Sequence, residues 1–369
     1  MNSTVAIFRK RLLSYSETFI ADQGQFLPQY RPLYCGYHED RTGLGMIEGS
    51  QRVLLDDHSP LPEVSKLLLR SGIGGGGNWI KAIHEHHPHL IHAHFFNDGQ
   101  DAVKLGKRLE LPVITTVHGH DITKHDNAIA QSRANRRFFE RVDRVIAVSR
   151  FIGEQALARG CPERKLEQHY IGIDLEKFSQ PKQESAEPTL LFVGRLVEKK
   201  GVTYLLQAMM QLRARYPDLR LTVVGEGGLQ SALRREADEH NLSVDFVGSE
   251  NAAQIRERLA RCWLFAAPSI TAGDGDAEGL GMVFLEAQAL QTPVISFRSG
   301  GVVEAVEDEV TGLLCDEKDV PALAENIATL LENQTLRRHM GVEGRKRVER
   351  EFDVRRQCAK LEGVYDGLR

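Results

Sequence analysis

Two glutamates eight residues apart, Glu278 and Glu286, enclose the stretch whose residue types best suit a chemical role. The stretch follows an apolar run, contains Gly279 and Gly281, and leads into an apolar segment that predicts a buried helix. A helix N-terminus offers unpaired N–H groups and about half a positive charge to a diphosphate, and ionised carboxylates bind hydroxyls through strong hydrogen bonds. The pattern predicts a sugar-diphosphate site; a capped helix with an acidic first turn is the alternative.

A glycine and two cations after another apolar run form a second candidate stretch. Gly194 permits a close backbone approach, and Arg195 and Lys200 can both reach one anion. Fixed cations there would stabilise a leaving nucleoside diphosphate without a metal, although either residue taken alone favours a solvated basic loop. The segment that begins at Gly225 resembles the glycine-rich fingerprint of dinucleotide-binding proteins, but Gln230 stands where that fingerprint has its last glycine. This favours sugar-nucleotide contact over a nicotinamide cofactor.

Two patterns resemble metal sites. Asp274 and Asp276 form a D-x-D pair that can hold a divalent cation, but oxygen-ligand sites usually need more ligands. Histidines cluster between residues 84 and 94 without the zinc pattern H-E-x-x-H. We therefore predict no bound metal, and we expect His94, at the outer end of its strand, to line a ligand-binding cleft.

A third group of polar residues follows the apolar run 113–117. His118 lies at the start of the loop, with His120 and Asp121 just beyond it. A neutral His118 imidazole can hydrogen-bond a hydroxyl and a protonated one can assist a phosphate, while His120 and Asp121 can orient one another as a His–Asp pair. Ordinary loop histidines are the alternative for both.

Short apolar runs that alternate with longer amphipathic segments must position these residues. Continuous hydrophobicity is typical of strands covered on both faces, and strand–helix alternation predicts parallel sheets. The predicted strands are residues 5–8, 52–55, 90–93, 113–117, 145–148, 190–193, 221–224, 244–247, 264–267 and 294–297. The fold class is α/β, with two Rossmann-like doubly wound domains facing a central cleft.

The polar, proline-bracketed residues 179–188 predict a linker between the two domains. The boundaries are then residues 1–178 for the first domain and 189–353 for the second. Residues 354–369 predict one further helix.

Composition agrees with a globular protein of two domains: the chain has 369 residues, of which 41% are hydrophobic and 27% charged. A net charge of -4 gives no reason to expect a nucleic-acid partner. Singly spaced cysteines, no leader and no apolar run of about 20 residues suggest a reducing cytoplasm. A basic helix around Arg133 to Arg144 can contact an anionic membrane at its inner face, or can be an ordinary solvated face.

Together the Glu278-x7-Glu286 spacing, the loop with Arg195 and Lys200, and the segment 172–174 resemble glycosyltransferase family 4. The resemblance implies a GT-B fold whose first domain, residues 1–178, binds the acceptor and whose second, residues 189–353, binds the nucleotide sugar. It further implies a retaining and metal-independent reaction without a cofactor, and a final helix that returns to the first domain. It also implies a UDP- or GDP-linked sugar donor. The donor-binding residues are then Gly194, Arg195, Lys200, Gly225, Glu278, Gly279, Leu280, Gly281, Met282, Val283 and Glu286.

The same resemblance assigns roles within that set. Arg195 and Lys200 would neutralise the diphosphate, Glu286 would bind ribose hydroxyls, and Glu278 would bind hydroxyls of the transferred sugar. His118 matches a family histidine near that sugar. Glu278, His118, Lys200 and Arg195 therefore form the predicted catalytic set.

One departure concerns residues 14–20, where many relatives have a glycine-rich loop and this chain has Ser16, Glu17 and Thr18. The variant resembles a subgroup of bacterial exopolysaccharide and lipopolysaccharide assembly, which implies a hexose-type sugar and a saccharide acceptor on a lipid carrier. An epimerase or phosphorylase on this fold, or a non-catalytic binding subunit, is the alternative. The predicted acceptor-binding residues are Ser16, Glu17, Thr18, His94, His120 and Asp121.

Overall fold

The computed structural model describes residues 3–72, 74–124 and 128–368. The chain divides into two compact units, one formed by Met1–Gly172 with Val354–Arg369 and the other by Ile173–Asp353. Each unit is an α/β domain built on a parallel sheet, as the alternation of apolar and amphipathic segments predicts.

The first unit contains a seven-stranded sheet whose pairings are all parallel. Phe8 lies opposite Ala93, and His94 lies opposite Thr116, so the loops that follow these three strands emerge at one edge. In spatial order the strands are Gln51–Leu54, Tyr30–Gly36, Ser3–Phe8, Pro88–His94, Val113–Val117, Arg144–Ala147 and Leu166–Gln168.

Helices of the first unit connect these strands, and a short parallel pair joins Arg11–Leu12 to His38–Glu39. The α-helices are Thr18–Gln25, Leu55–His58, Pro62–Ser71, Gly77–Glu85, Phe96–Leu109, His120–Thr123, Ala128–Arg141, Arg150–Ala158 and Val354–Asp366, and the 3-10 turns are Leu44–Ile47 and Glu163–Lys165.

The last helix, Val354–Asp366, belongs to the first unit. Its Glu362 carboxylate accepts hydrogen bonds from the amides of Gln29 (2.7 Å) and Tyr30 (2.9 Å). The Tyr365 hydroxyl, buried beside them, contacts Nδ1 of His92 at 2.7 Å. Buried polar contacts of this kind fix the position of the helix more sharply than apolar packing alone.

The second unit contains a six-stranded parallel sheet. In spatial order its strands are Val244–Gly248, Arg220–Val224, Thr189–Val193, Leu264–Ala266, Val294–Phe297 and Gly312–Cys315. The helices are Val202–Leu212, Gln230–Glu239, Ala252–Arg261, Met282–Ala289, Val302–Ala305, Val320–Glu332 and Gln334–Glu351, and the 3-10 turns are Leu175–Phe178 and Glu198–Lys200.

Residues 179–188, predicted as a linker, lie within the second unit. The ammonium group of Lys182 donates to the carbonyl of Leu259 at 3.0 Å and to the Thr292 hydroxyl at 2.6 Å. Glu184 pairs with the buried Arg337 at 2.8 Å. The segment is polar because its side chains bind the end of a neighbouring helix, and composition alone does not distinguish this from exposure to solvent. The N-terminal part of the first unit likewise ends at Gly172 rather than at the predicted boundary, residue 178.

Candidate functional site

The helix Met282–Ala289 begins at a backbone turn that requires glycine. Gly281 has φ +83°, a left-handed conformation that other residues adopt only with strain. Phe284 donates the first hydrogen bond of the helix to the Gly281 carbonyl (3.0 Å), so the amides of Met282 and Val283 precede the intrahelical ladder. Their N–H groups are therefore available to an anion at the helix N-terminus.

The segment before this helix is held by a neighbouring loop. Gly301 donates its N–H to the Glu278 carbonyl at 2.8 Å. A Cβ on Gly301 would lie 1.9 Å from the carbonyl oxygen of Gly279, so only glycine allows this approach. The Leu280 side chain is buried, which leaves only its backbone to contact a ligand.

Lys200 and Glu278 form a close ion pair in this unit, with 2.6 Å between Nζ and Oε2. Both side chains are nearly buried, at 13% and 12% exposure. Burial alone would raise the pKa of the Glu278 carboxyl, but the charges of Lys200, Lys199 and Arg195 outweigh it and hold that pKa below its usual value. Glu278 is therefore ionised at neutral pH.

The two strands that carry these residues are adjacent, since Thr189–Val193 pairs with Leu264–Ala266. Gly201, at φ +66°, ends the first loop, and a Cβ there would lie 1.8 Å from the Pro268 carbonyl oxygen. This contact sets the loop bearing Lys200 against the chain that leads to Glu278.

Gly194 and Gly225 meet backbone to backbone at the same edge of the sheet. Gly194 donates its N–H to the Val224 carbonyl at 3.0 Å. A Cβ on Gly225, which has φ +128°, would lie 2.0 Å from the Gly194 carbonyl oxygen. Both predicted donor-site glycines thus allow the loops that contain them to lie in close contact. Arg195 follows Gly194 directly in the first of these loops.

Arg195 and Glu286 complete the donor set that the sequence predicts. The Arg195 side chain is exposed, and its guanidinium forms no ion pair within the described part of the chain. Glu286 is half-buried within the helix. The structure therefore brings Arg195, Lys200, Glu278 and the helix N-terminus into one unit, with positive charge that a diphosphate can use.

The D-x-D pair lies next to these residues and contacts a lysine that sequence reasoning missed. Lys199 is 6% exposed, and its Nζ lies 2.9 Å from Oδ1 of Asp276. Asp274 accepts a hydrogen bond from the amide of Asp276 at 3.0 Å. Among residues 3–72, 74–124 and 128–368, no group of three or more His, Cys, Asp or Glu side chains is arranged to hold a metal ion.

In the first unit, three histidine rings stack at the end of the sheet. The ring centroids of His92 and His94 are 4.5 Å apart, and those of His94 and His118 are 5.3 Å apart. Nδ1 of His94 lies 3.1 Å from Nε2 of His118. Burial, and then neighbouring positive charge, hold the pKa values of His94 and His118 well below the usual range, so both rings are neutral.

His94 was predicted to bind an acceptor, but its side chain is 1% exposed. The strand Pro88–His94 is covered on both faces, so the last side chain of the strand is enclosed. His94 therefore contacts His118 and not a ligand, whereas His118 itself is half-buried between the rings of Phe19 and Phe95.

Asp121 binds the backbone of its own loop. Its carboxylate accepts hydrogen bonds from the amides of Phe96 (2.8 Å), His118 (3.1 Å) and Gly119 (2.8 Å). This contact network gives Asp121 a structural role that fixes the His118 loop. His120 is exposed and lies 5.6 Å from Phe95, ring to ring.

Glu17 is buried, at 8% exposure, and pairs with Arg9 at 2.5 Å. Arg9 also pairs with Asp98 and lies over the Phe95 ring, 4.4 Å from its centroid. Because a buried carboxylate needs a partner, Glu17 supports the loop and does not reach an acceptor directly. The run of basic residues that follows the first strand, Arg9 to Arg11, was the unused signal for this network.

Ser16 and Thr18 flank Glu17 and are both exposed. The Ser16 hydroxyl lies 3.1 Å from that of Ser14. Of the three acceptor-binding predictions in this loop, only these two side chains are accessible to a ligand.

Comparison with known proteins adds the family. Residues 174–347 match the family model described as glycosyl transferases group 1, and residues 44–177 match the family model described as glycosyltransferase family 4. The amylovoran biosynthesis glycosyltransferase AmsK of Erwinia amylovora is 31% identical over 281 residues, which cover 74% of this chain and 69% of that protein. The chain belongs to glycosyltransferase family 4.

Two further comparisons describe this family 4 glycosyltransferase. A GDP-mannose-dependent alpha-(1-6)-phosphatidylinositol monomannoside mannosyltransferase of Mycolicibacterium smegmatis is 32% identical over 270 residues, which cover 70% of each chain. The crystal structure of Anabaena HepE in complex with UDP superposes with a TM-score of 0.80 over the full length of both chains at 19% identity. The fold is GT-B.

The basic helix of this glycosyltransferase, Ala128–Arg141, turns its aromatic residues inward. Phe138 and Phe139 are buried, and Phe138 packs on Phe96 with 4.7 Å between ring centroids. The arginines at positions 133, 136, 137 and 141 are exposed. Within the described residues, no helix combines the length and the hydrophobicity needed to cross a membrane.

Proposed function

We propose that this family 4 glycosyltransferase is a retaining, metal-independent hexosyltransferase. Its donor would be a nucleotide diphosphate sugar, UDP- or GDP-linked, and its acceptor a lipid-linked intermediate of a bacterial surface polysaccharide. The names of relatives support this choice, because one acts in amylovoran biosynthesis and another uses GDP-mannose to modify a phosphatidylinositol mannoside.

The observation that carries the proposal is the Lys200–Glu278 pair beside the N-terminus of Met282–Ala289. A buried cation, the exposed guanidinium of Arg195 and free helix amides concentrate positive charge where a diphosphate can bind. The ionised Glu278 adds a carboxylate that accepts hydrogen bonds from sugar hydroxyls. Few ligands other than a sugar diphosphate use all these groups together.

The proposed chemistry follows from that charge distribution. As the bond between the anomeric carbon and the phosphate oxygen breaks, negative charge grows on the diphosphate, and Arg195, Lys200 and the helix amides stabilise it. Glu278 holds Lys200 in place and binds the transferred sugar. Departure and attack occur on the same face of the sugar, and the leaving phosphate accepts the proton of the acceptor hydroxyl.

The first unit would supply the acceptor contacts. Ser16, Thr18 and His120 are the predicted acceptor residues that the structure leaves exposed. His118 would offer a hydrogen bond to a saccharide hydroxyl, because its ring is neutral and packs against two aromatic neighbours.

Thermal-shift measurements with UDP-glucose, GDP-mannose and ADP-glucose would identify the donor. A ligand at 100 times its Kd adds about 2.7 kcal/mol of stability. The matching sugar nucleotide should then be turned over with a polyprenyl-diphosphate-linked saccharide, and NMR of the product should show the anomeric configuration of the donor. Conversion of the sugar nucleotide without any acceptor would identify an epimerase instead, and an inverted product would exclude the retaining mechanism.

Lys200→Ala tests the site assignment. Removing one group that stabilises developing charge typically lowers kcat by about 10²–10³-fold. The matched control is Arg235→Ala, which removes an exposed cation from the helix Gln230–Glu239 of the same unit. Equal activity of the two variants would refute the role of Lys200.

A further inference from the structure

The hydrogen bond between His94 and His118 links the protonation of the two imidazole rings, because one ring must donate and the other must accept. Nδ1 of His94 lies 3.1 Å from Nε2 of His118, so one of these nitrogens carries the proton and the other accepts it. A neutral imidazole has one N–H donor and one acceptor nitrogen. Fixing the proton on one ring therefore fixes it on the other.

Burial of His94 decides the direction. Its second nitrogen, Nε2, is buried and has no hydrogen-bond partner among the described residues. A proton on Nε2 would be a buried, unsatisfied N–H group, which is rarer in proteins than an under-used acceptor. The proton of His94 therefore belongs on Nδ1, from which it donates to Nε2 of His118.

His118 must then carry its own proton on Nδ1. The surroundings oppose a second proton on the ring: Arg9, His92 and His120 are nearby positive or titratable groups, and Phe19 and Phe95 pack against the ring with centroids at 4.9 Å and 4.6 Å. Amide contacts from His118 and Gly119 to Asp121 hold the loop itself.

We propose that His94 is a positioning residue that fixes His118 as its neutral Nδ1–H tautomer. His118 then presents a hydrogen-bond donor to a hydroxyl oxygen of the saccharide substrate, and it acts neither as a general base nor as a cation. The choice of ligand rests on the proposed function, whereas the tautomer assignment rests on the first unit alone.

The tautomer can be measured without turnover. In the full-length protein labelled with ¹⁵N-histidine, the imidazole nitrogens of His118 are identified by the signals that vanish in His118→Gln. We expect a protonated Nδ1 and an unprotonated Nε2 that retains a hydrogen bond. A protonated Nε2 in the wild-type protein would overturn the proposal.

Variants at position 94 separate positioning from simple space filling. His94→Asn keeps an N–H donor near the place of Nδ1 and should preserve the His118 tautomer, whereas His94→Leu removes the donor and should allow both tautomers. An unchanged tautomer in a folded His94→Leu variant would overturn the role of His94. His84→Leu, on an exposed helix position of the same unit, is the control.

Activity supplies the second readout. Loss of one neutral hydrogen bond should lower kcat/KM of His94→Leu by about three- to tenfold, with recovery in His94→Asn and no change in His84→Leu. The wild-type rate should show no acidic limb near the ordinary histidine pKa of about 6.5, because burial holds the pKa of His118 well below its usual value. An acidic limb at that pH in the wild type would contradict the proposal. If no sugar is transferred at all, the proposed function fails while the NMR result still decides the tautomer.

Discussion

Replacing Lys200 with methionine should destabilise the second unit because the substitution leaves the Glu278 carboxylate buried beside a neutral side chain. The two charged atoms are 2.6 Å apart and both side chains are almost enclosed. At an effective dielectric constant of about 20 the attraction is about 6 kcal/mol, most of which offsets the desolvation of the two ions.

Breaking a buried pair from one side typically costs about 3–5 kcal/mol. Lys199 and Arg195 still act on Glu278 in the variant, so we expect a loss of about 2–3 kcal/mol, at or below the lower limit of that range. The double variant Lys200→Met with Glu278→Gln removes both charges and should recover most of this loss.

Urea denaturation at pH 7, followed for both single variants and the double variant, gives the coupling energy of the pair. Arg235→Met serves as the control for removal of a surface cation. If the effects of the two substitutions add within about 0.5 kcal/mol, the residues do not interact and the reasoning is refuted.

Two further predictions concern pH and membranes. Burial lowers the pKa of His92 to about 3 in the folded protein, so as the pH falls this imidazole is protonated in the unfolded chain before it is protonated in the folded one. Its contribution to the free energy of unfolding therefore decreases below about pH 6.5, by roughly 2 kcal/mol at pH 5. Urea unfolding of the first unit at pH 7 and pH 5 should show a smaller decrease in His92→Asn; an equal decrease would contradict the prediction. The exposed arginines of Ala128–Arg141 should bind vesicles containing phosphatidylglycerol, each contributing about 1 kcal/mol near the surface. Charge reversal at Arg136 and Arg137 should abolish co-sedimentation, whereas binding that is unchanged by the reversal or by salt would exclude this surface.

The sequence determined the fold class and the positions of most strands along the chain. All ten apolar runs form strands, because strands covered on both faces must be apolar throughout. Among the described residues, three strands of the two large sheets and the short pair Arg11–Leu12 and His38–Glu39 escaped prediction. Tyr30–Gly36 contains an arginine and a proline, and Leu166–Gln168 and Gly312–Cys315 are short. Such segments become strands because a neighbouring strand offers hydrogen bonds, which no local pattern records.

The sequence also predicted Glu278, Lys200 and Arg195 as donor-site candidates, because glycines and charged residues in loops after strands, one of them leading into a helix, favour an anion site. Only the tertiary structure decided that Lys200 and Glu278 pair, since the two lie in loops after strands that are far apart in the chain and adjacent in the sheet. Burial also distinguished the predicted ligand-binding residues, because His118 is half-buried whereas His94 and Glu17 are buried. Exposure is set by the packing of several elements around a side chain, so the sequence named these residues while the fold assigned two of them to supporting positions.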